Sequence, residues 1–239
     1  MKLAVVTGGA TGIGAATCRA LAREGFAVAV HHRSSHDTAE ALAAELPGAF
    51  TVRGDLATDA GVEAVAAAVA ARPEPLAVLV NNAGIVADAP FLRASLDELD
   101  RVFDLNVRGT WHLTRRLARM MHRRREGRIV NVSSVVGTTG NPFQSVYGMS
   151  KAAIDNLTRT LAVELAGYGI LVNGVAPGLV DTAMTQALPE EARAALLARV
   201  PLGRMGRPDE VAELVAFLAT RGTYCTGAIF HVNGGLCVA

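Results

Sequence analysis

A single α/β domain, with helices packed on a buried sheet, is the fold class that the sequence predicts. Three observations carry it. Short apolar β-type runs alternate with amphipathic helical patterns from end to end, the order that builds a layered α/β sheet. The first such run feeds a glycine-rich turn and then a helix. At 239 residues with 51% hydrophobic but only 5% aromatic side chains, the chain is rich in the small aliphatic residues that pack helices on a sheet buried on both faces.

Charge excludes several function classes. Lys plus Arg number 23 against 22 Asp plus Glu, so no net field draws the protein to nucleic acid or a membrane surface. Cys18, Cys225 and Cys237 are widely spaced and form no CxxC, which speaks against a disulfide or zinc framework and for a reducing cytoplasm. The apolar run after Lys2 is too short for a signal peptide, and no stretch approaches a membrane span. No metal is expected: His31 and His32 have no Cys or carboxylate partners at ligand spacing, and are read as packing in a loop.

In chain order, Leu3 to Thr7 forms the first strand, and Gly8-Gly9-Ala10-Thr11-Gly12-Ile13-Gly14 precedes a helix from Ala15 to Glu24 that Gly25 stops. Gly8, Gly12 and Gly14 suit a tight turn, a close approach to a pyrophosphate and helix-on-strand packing, with the helix N-terminus facing the phosphates. Phe26 to Val30 is the second strand. The residues after it, His31 to Ser35, hold no carboxylate for a ribose 2′-hydroxyl, whereas Arg33 with Ser34 suits a 2′-phosphate; NADP(H) is favoured over NAD(H). A helix over Asp37 to Leu46, a strand over Ala49 to Arg53, a helix over Thr58 to Arg72 and a strand over Leu76 to Val80 follow, the last ending in Asn81-Asn82-Ala83-Gly84.

The pattern is helical from Ser95 to Met121 and carries Asn106, a poor helix residue whose amide is set to a hydrogen-bonding task. The basic run to Arg124, Arg125 and Arg128 complements a helix C-terminus, or docks an acidic carrier protein. Arg128 to Val132 is the fifth strand, followed by Ser133-Ser134; the turn-rich loop Thr138 to Gln144, with Phe143 and Gln144, is placed at one wall of a substrate cleft. In the next helix Tyr147 and Lys151 lie one turn apart, where an ammonium can acidify a phenol into a proton donor. Ile170 to Ala176 is the sixth strand. Residues 185–200 are read as either a mobile lid or a static crossover, a helix opens at Arg207, and Ala228 to Val232 is the last strand.

Thr7-Gly8-xxx-Gly12-Ile13-Gly14, Asn81 to Gly84, Asn106, Ser134 thirteen residues before Tyr147, Tyr147-xxx-Lys151 and Pro177-Gly178 come in one order, and the chain from Lys2 to about Leu236 resembles a short-chain dehydrogenase/reductase, nearest to the 3-oxoacyl-acyl-carrier-protein reductases. The resemblance implies a Rossmann-type, doubly wound, mostly parallel seven-stranded sheet with helices on both faces, and a homotetramer. It assigns Asp55 and Leu56 to adenine, and Asn82, Ala83 and Gly84 to the adenosine side. Pro177, Gly178, Val180 and Thr182 fall to the nicotinamide, and Met184 to the substrate side. Tyr147 becomes the proton donor, Ser134 its partner on the carbonyl oxygen, Lys151 the ligand of the nicotinamide ribose, and Asn106 the holder of a water at a helix irregularity. The substrate implied is a ketone, carrier-bound as an acyl thioester or free. One departure stands at Tyr168, where the related carrier-protein reductases often have a second basic residue. A non-catalytic NADP(H)-binding regulator has no need of all four polar residues together.

Overall fold

Seven runs rich in Val, Ala and Leu form strands, and all seven pair in parallel. The computed structural model describes residues 1–187 and 189–238. In chain order it comprises β1 (Lys2–Val6), α1 (Gly12–Arg23), β2 (Phe26–His32), α2 (His36–Glu45), β3 (Phe50–Arg53), α3 (Asp59–Ala70) and β4 (Leu76–Asn81). Then come α4 (Leu96–Phe103), a π-helical turn over Asp104–Gly109, α5 (Thr110–Arg124), β5 (Gly127–Val132), α6 (Val136–Thr139), α7 (Ser145–Ala166) and β6 (Ile170–Pro177). The chain closes with α8 (Ala183–Gln186), α9 (Glu190–Leu197), α10 (Pro208–Thr220) and β7 (Ile229–Val232).

The sheet order is β3-β2-β1-β4-β5-β6-β7. Order reverses between β1 and β4, so the crossovers diverge there and leave a crevice at the carboxyl ends of the strands. Alternate side chains of β1 supply both cores. Ala4 and Val6 pack with Leu21 of α1, Leu42 of α2 and Val215 of α10. Leu3 and Val5 pack with Val65 of α3, Leu113 of α5 and Ala162 of α7. Burial on both faces is why these strands read as unbroken apolar runs rather than as alternating ones.

The predicted elements are present, with most boundaries within a residue or two. Four details differ. The sheet is parallel throughout, not mostly so. β2 runs on through His32, so His31 and His32 are buried strand residues, not loop residues. The helix expected from Ser95 to Met121 is interrupted at the π-turn; a Cβ on Gly109 would overlap the Leu56 carbonyl oxygen, so the chain passes the β3–α3 turn at backbone contact. Residues 185–200, read as one lid or crossover, hold the end of α8 and all of α9; Leu188 within them lies outside the described residues.

Candidate active site

The turns after β1, β4, β5 and β6 open onto one cavity of about 310 Å³ at the switch point. It is lined by Gly8 and Thr11 to Gly14, by Asn82 to Gly84, by Val132 to Ser134, by Tyr147 and Lys151, and by Pro177, Gly178, Val180 and Thr182 to Thr185. The two halves are locked by one hydroxyl. Thr7 Oγ1 accepts from the amides of Asn82 and Ala83, each at 2.9 Å, while Asn82 Nδ2 donates to the carbonyls of Thr7 (2.9 Å) and Gly8 (3.1 Å). The glycines are required by space. A Cβ on Gly14 would overlap the Gly8 carbonyl oxygen, and Gly12, at φ 53°, turns its open side toward Thr182 across the cavity. This is a cradle that a side chain would fill, at the N-terminus of α1, and it suits a pyrophosphate.

At the carboxyl end of β2, Arg33 and Ser34 are exposed just past the strand. The β2–β3 ladder sets Arg53 beside His32, and the His32 and His36 rings stand 5.5 Å apart. Sequence reasoning missed Arg53, because strand register alone brings it to this corner. Among the described residues Arg33 has no ion-pair partner. This cationic corner fits a 2′-phosphate better than a bare ribose. Asp55 Oδ1 accepts from the Ala57 amide at 3.0 Å, and Leu56 is buried.

At the cavity stand Ser134, Tyr147 and Lys151. Ser133, the neighbour of Ser134, is buried, with its hydroxyl donating to the Lys151 carbonyl at 3.4 Å, while Ser134 lines the cavity together with Tyr147 and its hydroxyl favours the phenolate. Burial pushes the Tyr147 pKa up to about 12; the Ser134 hydroxyl opposes that and the Asp88 carboxylate adds to it. Lys151 is buried and donates from Nζ to the Val132 carbonyl at 2.9 Å; desolvation brings its pKa down to about 8, with Asp155 one turn on acting in the opposite direction. Acidification of Tyr147 by Lys151, expected from their spacing, is not seen. Nζ lies 5.7 Å from the phenol ring centroid and is turned to a main-chain carbonyl, so desolvation dominates. Asn106 sits behind the pair in the π-turn. Its Oδ1 accepts from Ile85 N (2.9 Å), and its Nδ2 donates to Ile85 O (2.9 Å) and Ser150 Oγ (3.1 Å). Ser150 in turn donates to the Tyr147 carbonyl at 2.7 Å.

A short-chain dehydrogenase family model, described as enoyl-(acyl carrier protein) reductase, matches residues 8–237. The chain belongs to the short-chain dehydrogenase/reductase family. It is 42% identical to a 3-oxoacyl-(acyl-carrier-protein) reductase of Thermotoga maritima, over 99% of this chain and 98% of that one. A reductase of the same description from Synechocystis is 39% identical, over 98% and 96%. A crystal structure from Beutenbergia cavernae, described as a proposed NAD(P)-dependent gluconate 5-dehydrogenase with NADP bound at low occupancy, superposes with a TM-score of 0.93 at 38% identity, covering 98% of this chain and 96% of that one.

Not every residue that the sequence places at the substrate side meets at the cavity. Met184 does. Gln144 is not part of the cavity lining, and its amide is engaged, donating to Asp88 (2.9 Å) and accepting from Asn141 (3.1 Å). Phe143 is 61% exposed in a left-handed conformation, φ 68°, its carbonyl bonded to Ala89 N at 2.9 Å. Arg124 and Arg125 precede β5, at the amino end of the sheet, roughly 20 Å from Ser134 at about 3.3 Å per strand residue. Arg125 is moreover occupied: at φ 53° it closes α5, donates to Gly167 O at 2.6 Å and lies 5.7 Å from the Tyr168 ring. A basic run in sequence does not say at which end of a sheet it will emerge.

Proposed function

We propose that the protein reduces a ketone to a secondary alcohol with NADPH, and that its substrate is a 3-oxoacyl thioester on acyl-carrier protein. The observation that carries this reading is the Ser134–Tyr147 hydroxyl pair beside buried Lys151, set in the same cavity as the glycine cradle. Full-length identity to 3-oxoacyl reductases supports a ketone substrate over an enoyl one.

In this reading Arg33, Ser34 and Arg53 hold the 2′-phosphate, Asp55 and Leu56 the adenine, and Asn82 to Gly84 the adenosine side. Thr11 to Gly14 hold the pyrophosphate. Pro177, Gly178, Val180 and Thr182 hold the nicotinamide carboxamide, and Lys151 its ribose. When bound, NADPH supplies a hydride to the carbonyl carbon. Negative charge then grows on the carbonyl oxygen, and Ser134 and Tyr147 aim two O–H donors at it, favouring that state over the ground state. Tyr147 gives the proton. A phenol near 12 is a weak acid, yet an alkoxide is a far stronger base than a phenolate, so the transfer is downhill once hydride has arrived. Lys151 places a cation beside that transfer. Asn106 holds the π-turn against Ile85 and fixes Ser150, which steadies the first turn of α7 below Tyr147; a water bridging Lys151 to solvent takes the lone pair its amide leaves free.

Turnover with NADPH and NADH on β-ketoacyl-acyl-carrier protein, β-ketoacyl-coenzyme A and simple ketones tests the reading. The expected order favours NADPH and the carrier substrate; turnover of free ketones alone overturns the carrier. A second reading, a dehydrogenase of a free small alcohol, is favoured by the 38% identical structure described as a gluconate 5-dehydrogenase and by the distance of Arg124 and Arg125 from the cavity. A carrier docked on those arginines must span about 20 Å or reach the cleft of a second copy. Its reduction should then weaken with salt more than that of the coenzyme A analogue.

A homotetramer is part of the proposal: Trp111 on α5, Val163 on α7 and Tyr224 near β7 are exposed apolar side chains suited to contacts between copies, and sedimentation measures it. So is a cytoplasmic location, which suits three free cysteines, one of them a buried thiol pushed up to about 12. No described helix is long and apolar enough to cross a membrane.

A further inference from the structure

The turn that follows β1 and the turn that follows β3 are joined by one side chain. His31, 3% exposed near the end of β2, accepts the Gly8 N–H at Nδ1 (3.1 Å) and reaches the Gly54 carbonyl with Nε2 (3.0 Å). A backbone N–H only donates and a carbonyl only accepts, so the two contacts require the neutral ring with its proton on Nε2. Burial supports this by pushing the imidazole down to about 4. Main-chain bonds converge on the same corner: Gly9 N to His31 O at 2.8 Å, and Gly54 N to His32 O at 3.1 Å. Gly8 stands at φ 60° at the head of the pyrophosphate cradle, and Gly54 leads directly into Asp55. The imidazole spans the two turns.

We infer that His31 is a positioning residue for the dinucleotide, fixing the pyrophosphate turn against the adenine turn before the nucleotide arrives. A turn that is already in place costs no ordering when ligand binds, and that saving appears as affinity. The inference rests on the proposed NADPH site, and direct binding separates the two. In a fluorescence titration the wild-type protein binds NADPH; if it does not, the site assignment itself is overturned. His31→Leu keeps the bulk but leaves Gly8 N–H and Gly54 O buried without partners, and its NADPH Kd is expected to rise about tenfold or more. His31→Asn keeps an acceptor for Gly8 N–H but cannot reach Gly54, and is expected to recover part of that loss. At saturating NADPH, kcat of both variants stays within about twofold of wild type, since no contact to the reacting atoms is touched. An unchanged Kd in His31→Leu, or a loss confined to kcat, overturns the inference. Amide hydrogen exchange on the wild type needs no variant: residues 7–14 and 54–58 should be protected before NADPH is added and gain little afterwards. Large new protection on binding shows turns that the ligand orders, and overturns the inference as well.

Discussion

Replacing Lys151 by Met should make the protein more stable at pH 7 while disabling it. The lysine is 6% exposed and its pKa stands at about 8 against an ordinary 10.5. At about 1.4 kcal/mol per pH unit, holding that ammonium charged in the fold costs roughly 3 kcal/mol. The variant escapes this cost but strands the Val132 carbonyl that Nζ now satisfies at 2.9 Å, a loss of about 1–2 kcal/mol. The balance is a gain of about 1–2 kcal/mol, or about 2–8 °C in Tm for a chain of this length. The pH dependence fixes the cause. A lysine whose folded pKa is depressed carries its full penalty below about 8; the penalty shrinks as pH rises from there and is gone above the unfolded value of 10.5. Thermal unfolding of both proteins from pH 7 to 10 should therefore show an advantage of the Met variant that decays and then reverses, while NADPH oxidation falls at every pH. A variant less stable than wild type by the same margin at every pH would refute the argument, because its deficit would then owe nothing to charge.

Three further outcomes are expected. Tyr147→Phe should lower turnover by about 10²–10⁴-fold with NADPH affinity nearly unchanged, read by steady-state rates and fluorescence titration; parallel losses of binding and turnover would mark a structural tyrosine. Arg33→Ala should weaken NADPH by roughly tenfold to a hundredfold and leave NADH unaffected, since a charge-assisted bond to the 2′-phosphate is worth about 1.5–3 kcal/mol. Phe143 bears the strain of φ 68°, about 1–2 kcal/mol for a residue with a Cβ, so Phe143→Gly should melt above Phe143→Ala; the opposite order would show that the loop imposes no such conformation.

What was legible in the sequence was what chemistry confines to neighbours along the chain. The glycine cradle is read from Gly8 to Gly14 because a strand, a turn without side chains and a helix start must be consecutive. Tyr147 and Lys151 are read from helical periodicity. What remained hidden depends on which strands become neighbours. His31 appeared as a loop residue because its partners, Gly8 and Gly54, are each 23 residues away and meet it only through the β1-β2-β3 order. Arg53 comes to lie beside His32 through the β2–β3 register alone. The Tyr147 pKa departs from what its spacing to Lys151 suggests for a related reason. Spacing gives proximity to Lys151, but the depth of burial and the competing Val132 carbonyl belong to the tertiary fold.

The site's precision has its source in a polar seam set inside the apolar core. Asn81, the last residue of β4, donates from Nδ2 to Thr114 Oγ1 of α5 and to Asn131 Oδ1 of β5, both at 2.8 Å; Asn131 passes the chain to Thr158 Oγ1 of α7, again at 2.8 Å. Apolar contacts alone allow a helix to slide along a sheet at small cost, because they are non-directional. These hydrogen bonds are directional, and breaking one strands a buried polar group. The seam therefore sets the axial position of α5, which continues from the π-turn carrying Asn106, and of α7, which carries Tyr147 and Lys151. Asn106 closes the circuit through Ser150. Truncating Asn131 should thus displace two helices at once, lowering turnover by more than its stability cost alone explains.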